Sequence, residues 1–275
     1  MNPILKYPGA KWRIADWIIG HFPEHESYLE PFFGSGAIFF NKQPARIETI
    51  NDLDGNVVRF FKTCRDQPDE LARVLELTPW AREEFEEIRG KNTSDDIEAA
   101  RAFAVRCWMS FGGRLCQTDN WRYSTGVKID GGPDNPKLWS RLPQIVYEVA
   151  SRLKQAQIEN RSAVDVISAY NGSNVLIYAD PPYVRETRTL HGDQYRCEMA
   201  NEEHRKFLDV VSKHKGMILI SGYDCDLYRE SLVGWECDRL NTTAERGIRC
   251  EECLWINPAA SRALYQQNAQ CKIIL

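Results

Sequence analysis

Residues 174–183 read Asn-Val-Leu-Ile-Tyr-Ala-Asp-Pro-Pro-Tyr. The run Val175–Ala179 is apolar without alternation, the pattern of a strand covered on both faces, as strands of parallel sheets are. Pro181 and Pro182 then stop it, because neither offers a backbone N–H to a ladder or a helix. Asp180 and Tyr183 are thereby placed at the carboxyl edge of a sheet. Downstream, GMILIS (216–221) and CLWIN (253–257) repeat the strand pattern, with helical stretches at 203–213 and 225–232 between them; QIEN, near 157, precedes them. Upstream, a helix pattern near 11–21, a strand SYLEPF (27–32), a helix from 35, a strand at 46–50 and a helix from 53 make a βαβα start. The alternation predicts an α/β fold.

Between these halves the pattern changes. Residues 60–150 carry helical periodicity at 67–77, 79–90 and 95–110, then the Gly-, Asn- and Pro-punctuated stretch FGGRLCQTDNWRYSTGVKIDGGPDNP (111–136). This reads as an inserted lobe, residues 59–150, within a main domain of residues 1–58 and 151–275.

The chain has 275 residues, 43% hydrophobic and 27% charged, a globular composition that excludes disorder and fibrous repeats. A net charge of −4 excludes a uniformly basic nucleic-acid coat. The charge is segregated, however: residues 82–98 hold seven acidic and three basic side chains, whereas 101–128 hold five basic side chains (Arg101, Arg106, Arg114, Arg122, Lys128) and one acid, Asp119. No signal-peptide run and no apolar stretch of about 20 residues occurs, so a soluble cytoplasmic protein with no membrane contact is expected. Nine scattered cysteines predict reduced thiols rather than a disulfide framework. Cys250-x-x-Cys253, with Cys225 and Cys237, is a possible metal set, but strand alternation puts the first two in opposite register and no metal is expected.

Three motifs carry chemistry. In LEPFFGSGAIFFN (29–41) a strand enters a turn with Gly34 and Gly36, so backbone N–H groups and a following helix N-terminus can face a ligand; a tight turn with glycines for packing is the alternative. Phe39 stands where a dinucleotide-binding motif would have its third glycine, so a dinucleotide is not expected. Asp52, about twenty residues on, offers two acceptor oxygens for ribose hydroxyls, or simply solvates a strand end, while Asp54 suits a helix N-cap. In Asp180-Pro181-Pro182-Tyr183 the prolines can aim the Asp180 carboxylate and the next carbonyl the same way, giving two acceptors for one –NH₂ group, and Tyr183 adds a flat face for its ring.

DPPY, with PFFGSG upstream and KYPGAK (6–11) at the start, resembles the Dam-type (α-class) DNA adenine-N6 methyltransferases, phage members included. The motifs stand in the family's order, and SGYD (221–224) and EECLWIN (251–257) resemble its later, weaker motifs. The resemblance implies a class I, Rossmann-like S-adenosylmethionine (SAM)-dependent methyltransferase fold: a mostly parallel sheet with helices on both faces and an inserted helical target-recognition domain. It implies a SAM pocket built from Tyr7, Lys11, Glu30, Phe32, Gly34, Ser35, Gly36, Asp52 and Asp180. Read without the family, Lys11 is a solvated lysine at a helix start. Family members often carry an acid before the DPPY strand; here Ser162 stands near that place and Asp165 is the candidate acid. Asp180, Pro181, Pro182 and Tyr183 are the implied catalytic residues, acting on an adenine flipped out of double-stranded DNA, by a protein expected to be a monomer. An N4-cytosine enzyme would more often show Ser before Pro-Pro, and a glutamine or RNA methyltransferase Asn. A DNA-binding protein that has lost catalysis is a further alternative.

Within 101–128, Trp108, Phe111, Trp121 and Tyr123 interleave with basic residues, a composition suited to phosphates and base edges or, alternatively, a lobe core with a solvated basic face. Arg114, Gln117, Asn120, Arg122 and Lys128 are the expected DNA contacts. CQTDNWRY (116–123) resembles the family's recognition hairpin only loosely, with Gln117 where a basic residue is common, so GATC is not implied. The arginine-bearing loop 184–196 can order over the flipped base or stay solvated.

Overall fold

In the computed structural model residues 1–111, 120–126, 134–187, 195–243 and 249–274 are described. Arg114, Gln117 and Lys128, and part of the 184–196 loop, lie outside them. Strands β1 (Ser27–Glu30), β2 (Ile47–Asn51), β3 (Gln157–Glu159), β4 (Val175–Ala179), β5 (Met217–Gly222), β6 (Glu236–Thr243) and β7 (Arg249–Ile256) form one seven-stranded sheet in the order β3-β2-β1-β4-β5-β7-β6. Neighbours from β3 to β5 are parallel; β7 is antiparallel to both β5 and β6.

Successive residues of the central strands enter different cores, as the two-residue period of a strand demands. Leu176, Tyr178, Leu219, Leu254 and Ile256 belong to one, and Ile177, Ala179, Ile218, Ile220, Cys253 and Trp255 to the other. The first core takes in α1 (Ala15–Ile19), α2 (Gly55–Asp66), α3 (Pro68–Leu77), α4 (Arg82–Glu87), α5 (Asp96–Met109), α6 (Asn135–Trp139) and α7 (Leu142–Leu153). The second takes in α8 (Ala163–Ala169), α9 (Asn201–Ser212) and α10 (Asp226–Ser231). Helix α11 (Pro258–Ile274) joins the first through Ala260. The chain thus has the mostly parallel, doubly covered sheet of the expected fold class.

Local signals explain the helix starts. Asp54 accepts the Asn56 N–H at 3.0 Å at the head of α2, and Asp95 accepts the Glu98 N–H at 2.7 Å at the head of α5. Pro68 opens α3 within its first turn, where a missing N–H costs nothing. Trp108 of α5 is 2% exposed and donates its indole N–H to the Ile4 carbonyl at 2.8 Å, fastening the helical segment to the chain's start.

Three expectations are corrected. The stretch after Gly36 is a series of tight turns rather than an α-helix, with Phe40 N–H bonded to Gly36 O and Lys42 N–H to Ile38 O, at 3.0 and 2.9 Å. Buried aromatic packing of Phe33, Phe39 and Phe40 dictates its path. The helix expected over 79–90 is only Arg82–Glu87. Strand β6 was not foreseen; its polar sequence ECDRLNTT suits the sheet edge, where it pairs on one side only.

Candidate active site

The carboxyl ends of β1, β2 and β4 open into a cleft of about 780 Å³, solvent-open space included. Asn51, 1% exposed, staples the strand ends: its amide donates to Pro31 O (2.9 Å) and Arg161 O (3.1 Å), and its side-chain oxygen accepts the Arg161 N–H (2.9 Å). The segment Tyr7–Lys11 closes one wall. Gly34 takes a left-handed φ of +51°, and a Cβ there would sit 3.2 Å from the Tyr7 ring, so the turn and this segment meet only because the residue is glycine. Trp12 adds a tie, donating to the Ser35 hydroxyl at 3.0 Å.

Asp52 projects from the end of β2. Its two oxygens accept the Gly34 N–H and the Asp54 N–H, each at 2.8 Å. Burial pushes its pKa up to about 6 against those hydrogen bonds. Each oxygen keeps a lone pair, so Asp52 can still take a hydroxyl donor. Glu30, 2% exposed, accepts the Tyr28 hydroxyl at 2.6 Å and is raised by burial to about 8.

Asp180 caps β4. Lys11, 7% exposed, donates to Asp180 Oδ2 at 2.9 Å and to Gly9 O at 2.8 Å, and lies 3.7 Å from Glu252 Oε1. Burial pulls the Lys11 pKa down, but the charges of Asp180 and Glu252 outweigh it and hold the ammonium above its ordinary value. Burial lifts Asp180 to about 6, with Lys11 opposing and Glu252 reinforcing the rise. Asp180 Oδ1 is buried and makes no close hydrogen bond among the described residues, although the Tyr183 hydroxyl is near enough to help hold the Asp180 pKa down; an acceptor so placed has room for a donor. Tyr183 turns its hydroxyl to Glu252, sets its ring edge-on to Tyr223 at 4.7 Å, and receives the Lys11 ammonium 4.8 Å from its ring centre.

Tyr7, Lys11, Glu30, Phe32, Gly34, Ser35, Asp52, Asp180 and Pro182 all line the cleft. Gly36 does not: its φ of +68° and the Phe33 and Phe40 rings, 2.5 and 2.6 Å from a hypothetical Cβ, give it a packing role. Asp165 is also corrected, since it stands exposed in the first turn of α8, away from the walls, and Ser162 heads that helix without a side-chain cap. Lys11 is buried and ion-paired, unlike the solvated lysine its local sequence suggests. With no helix after Gly36, no helix N-terminus faces the cleft there, and the Gly34 N–H is spent on Asp52. Pro181 is buried, and Tyr183 is not among the wall residues.

Several wall residues were missed: Tyr195, Glu198, Met199 and Glu203, which follow the DPPY turn. Tyr195, Glu198 and Met199 lie in a segment with no regular pattern to announce it, whereas Glu203 stands in the first turn of α9. Glu252 was legible in principle, because a charged residue in register with Leu254 and Ile256 sits on a face that is otherwise buried and apolar. The walls are acidic, with Glu30, Asp52, Asp54, Asp180, Glu198 and Glu203 against Lys11. That excess suits a ligand carrying positive charge, and Asp180 Oδ1 and the lone pairs of Asp52 suit one with amine and hydroxyl donors. SAM, a sulfonium with an amino group and a ribose, fits this donor set.

In the segment between β2 and β3, Trp121 and Tyr123 stack at 5.6 Å and 13°, with the Arg82 guanidinium 4.7 Å from the Trp121 ring and 5.6 Å from that of Tyr123. Asn120 is exposed, and Arg122 is held by Nε donation to Ser110 O at 3.0 Å. Two expectations change here. Trp108 is core, and Arg101 is paired with Glu84 and Glu98 at 2.6 and 2.7 Å, so part of the basic stretch is neutralised by the acidic one.

Comparison with known proteins adds the family. A family model described as D12 class N6 adenine-specific DNA methyltransferase matches residues 7–248. A type II methyltransferase of Lactococcus lactis subsp. cremoris is 22% identical over 267 residues, 90% of each chain. The DNA adenine methylase of Escherichia coli K12 is 26% identical over 243 residues (82% of each chain), and that of Vibrio cholerae 23% over 232 (80% of each).

Proposed function

Because the chain belongs to the D12 class N6 adenine-specific DNA methyltransferases, we propose that Asp180 and the Pro181 carbonyl receive the N6 amine of an adenine flipped out of duplex DNA, at the rim of a SAM-filled cleft. The observation that carries the reading is Asp180 itself, with one oxygen fixed by Lys11 and the other without a close hydrogen bond among the described residues, at the end of a buried strand. When bound, SAM supplies an electrophilic methyl group on a positively charged sulfur. Asp52 accepts ribose hydroxyls, and Asp180 places negative charge beside the cation.

The adenine amine is a weak nucleophile because its lone pair is delocalised into the ring. Hydrogen bonds from N6–H to Asp180 Oδ1 and to the Pro181 carbonyl move electron density back onto nitrogen, and Asp180 is the nearest base for the proton N6 sheds. Positioning and preset charge supply the acceleration, with no covalent enzyme intermediate and no metal. Flipping costs on the order of a few kcal/mol, which contacts from the lobe offset. Asn120, Arg122 and the Arg82–Trp121–Tyr123 stack, with Arg114, Gln117 and Lys128, are the proposed DNA surface of a monomeric enzyme.

The test is transfer of labelled methyl from SAM to unmethylated plasmid, followed by nucleoside analysis. Label in N6-methyladenine is expected. Label in N4-methylcytosine, or none from a preparation that still binds SAM, overturns the reading.

A further inference from the structure

On β7, residues 252, 254 and 256 share one face, and Leu254 and Ile256 are core residues. The third, Glu252, is charged and only 5% exposed. Burying a carboxylate is costly unless it is paired, and an apolar residue continuing the pattern would serve the sheet better. Among the described residues the pairing it finds is with the site: the Tyr183 hydroxyl donates to Glu252 Oε1, and the Lys11 ammonium lies 3.7 Å from the same oxygen while bonding Asp180 at 2.9 Å. A local rule broken in the middle of a strand, where that strand passes beside the reacting groups, points to function.

We propose that Glu252 is a positioning residue for methyl transfer, holding the Tyr183 hydroxyl and sharing the Lys11 ammonium with Asp180 so that ring, ammonium and carboxylate are set as one unit. The inference rests on the reading that Asp180 receives the target amine. Without Glu252, Lys11 would pair with Asp180 alone, neutralise it more fully and weaken it as an acceptor, while Tyr183 would lose the anchor that fixes its ring plane. The groups facing Asp180 are Lys11 from the N-terminal segment, Glu30 from β1, Tyr178 from β4, Tyr183 from the turn, Tyr228 from α10 and Glu252 from β7. Of these, Glu252 brings negative charge and Lys11 positive, while burial holds the Glu30 carboxyl largely protonated; the Glu252 charge raises the Asp180 pKa.

The experiment is single-turnover methyl transfer by the full chain, against pH, for the native protein and Glu252→Gln. Native transfer into N6-methyladenine is the control; its failure sinks the proposed function, whereas the rest of the comparison bears on Glu252 alone. In the native protein the rate is expected to climb as Asp180 ionises, at about pH 6. In Glu252→Gln, which keeps an acceptor for Tyr183 but no charge, the climb is expected at lower pH, with a plateau roughly tenfold lower, and Glu252→Ala is expected to fall further, up to about 100-fold. A climb at the native pH in Glu252→Gln overturns the proposal, even if the rate falls, because a packing defect lowers the rate without moving the titration. Should Glu252→Gln not accumulate as folded protein, Glu252→Asp takes its place by withdrawing the charge one methylene from Lys11 and Asp180. A smaller shift in the same direction then supports the proposal, and an unmoved climb overturns it.

Discussion

Two parts of the molecule use the same residue types to opposite effect. At the strand ends, Lys11, Asp180 and Glu252 press opposite charges together with side chains 8%, 19% and 6% exposed. In the helical segment between β2 and β3, Arg73 pairs with Glu70 and Lys91 with Glu87, with all four side chains about half exposed. Exposed pairs of this kind contribute about 0–1 kcal/mol each and are screened by salt. Removing one partner from a buried cluster leaves an uncompensated charge, at about 3–5 kcal/mol. The first arrangement is therefore rigid and specific to its site, while the second leaves long side chains free to re-pair with another surface.

The largest test of that contrast is Asp180→Ala. If reaction and recognition reside in separate regions, methyl transfer should drop by at least about 10²–10⁴-fold, the usual yield of a positioned acid–base group, while plasmid affinity stays within about twofold. Filter binding and label transfer measure the two. An Asp180→Ala protein that still methylates would refute the role of Asp180.

Lys11→Met comes next. It strips the cation from Asp180 and Glu252 and should destabilise the fold by up to about 3–5 kcal/mol while both acids are charged. Lys11 holds the Asp180 pKa down toward about 6, so its loss raises that pKa further above the unfolded value near 3.8. A raised acid contributes stability that is fully present below the unfolded pKa and lost as pH rises through the folded one. The variant should therefore lie close to the native protein at pH 5 and well below it at pH 8 in denaturant titrations. Equal losses at both pH values would show that Lys11 matters by packing alone.

What could be read in advance divides along the same line. The strand ends were legible because Pro181 and Pro182 fix the backbone and Gly34 marks a turn that needs a left-handed φ, so residue identity goes far toward setting geometry there, and Asp52, Glu30 and Asp180 converge on one cleft. Lys11 was legible only through the family motif, since its burial depends on Asp180, 169 residues away. Asp165 lies off the cleft walls for the converse reason: its helix is local, but the direction that helix faces is set by packing against the second core. In the segment between β2 and β3, the interleaved aromatics looked alike in sequence, yet Trp108 is 2% exposed and Tyr123 59%. Alternation of basic and aromatic residues cannot separate a core ring from a surface one without the helix phase that α5 supplies.

The smallest effect concerns Arg82, which the sequence groups with the acidic stretch and the fold sets against Trp121 and Tyr123. An exposed cation–π contact contributes about 0.5–1 kcal/mol, so Arg82→Ala should leave thermal stability almost unchanged. Its charge is held over a stacked aromatic pair beside the exposed Asn120, where a DNA phosphate would meet it. One lost phosphate contact should weaken plasmid binding less than about tenfold and reduce the slope of log affinity against log salt by about one. An unchanged salt slope would assign the stack to holding residues 120–126 against α4, and would shift the DNA surface of the lobe toward Arg122 and its neighbours.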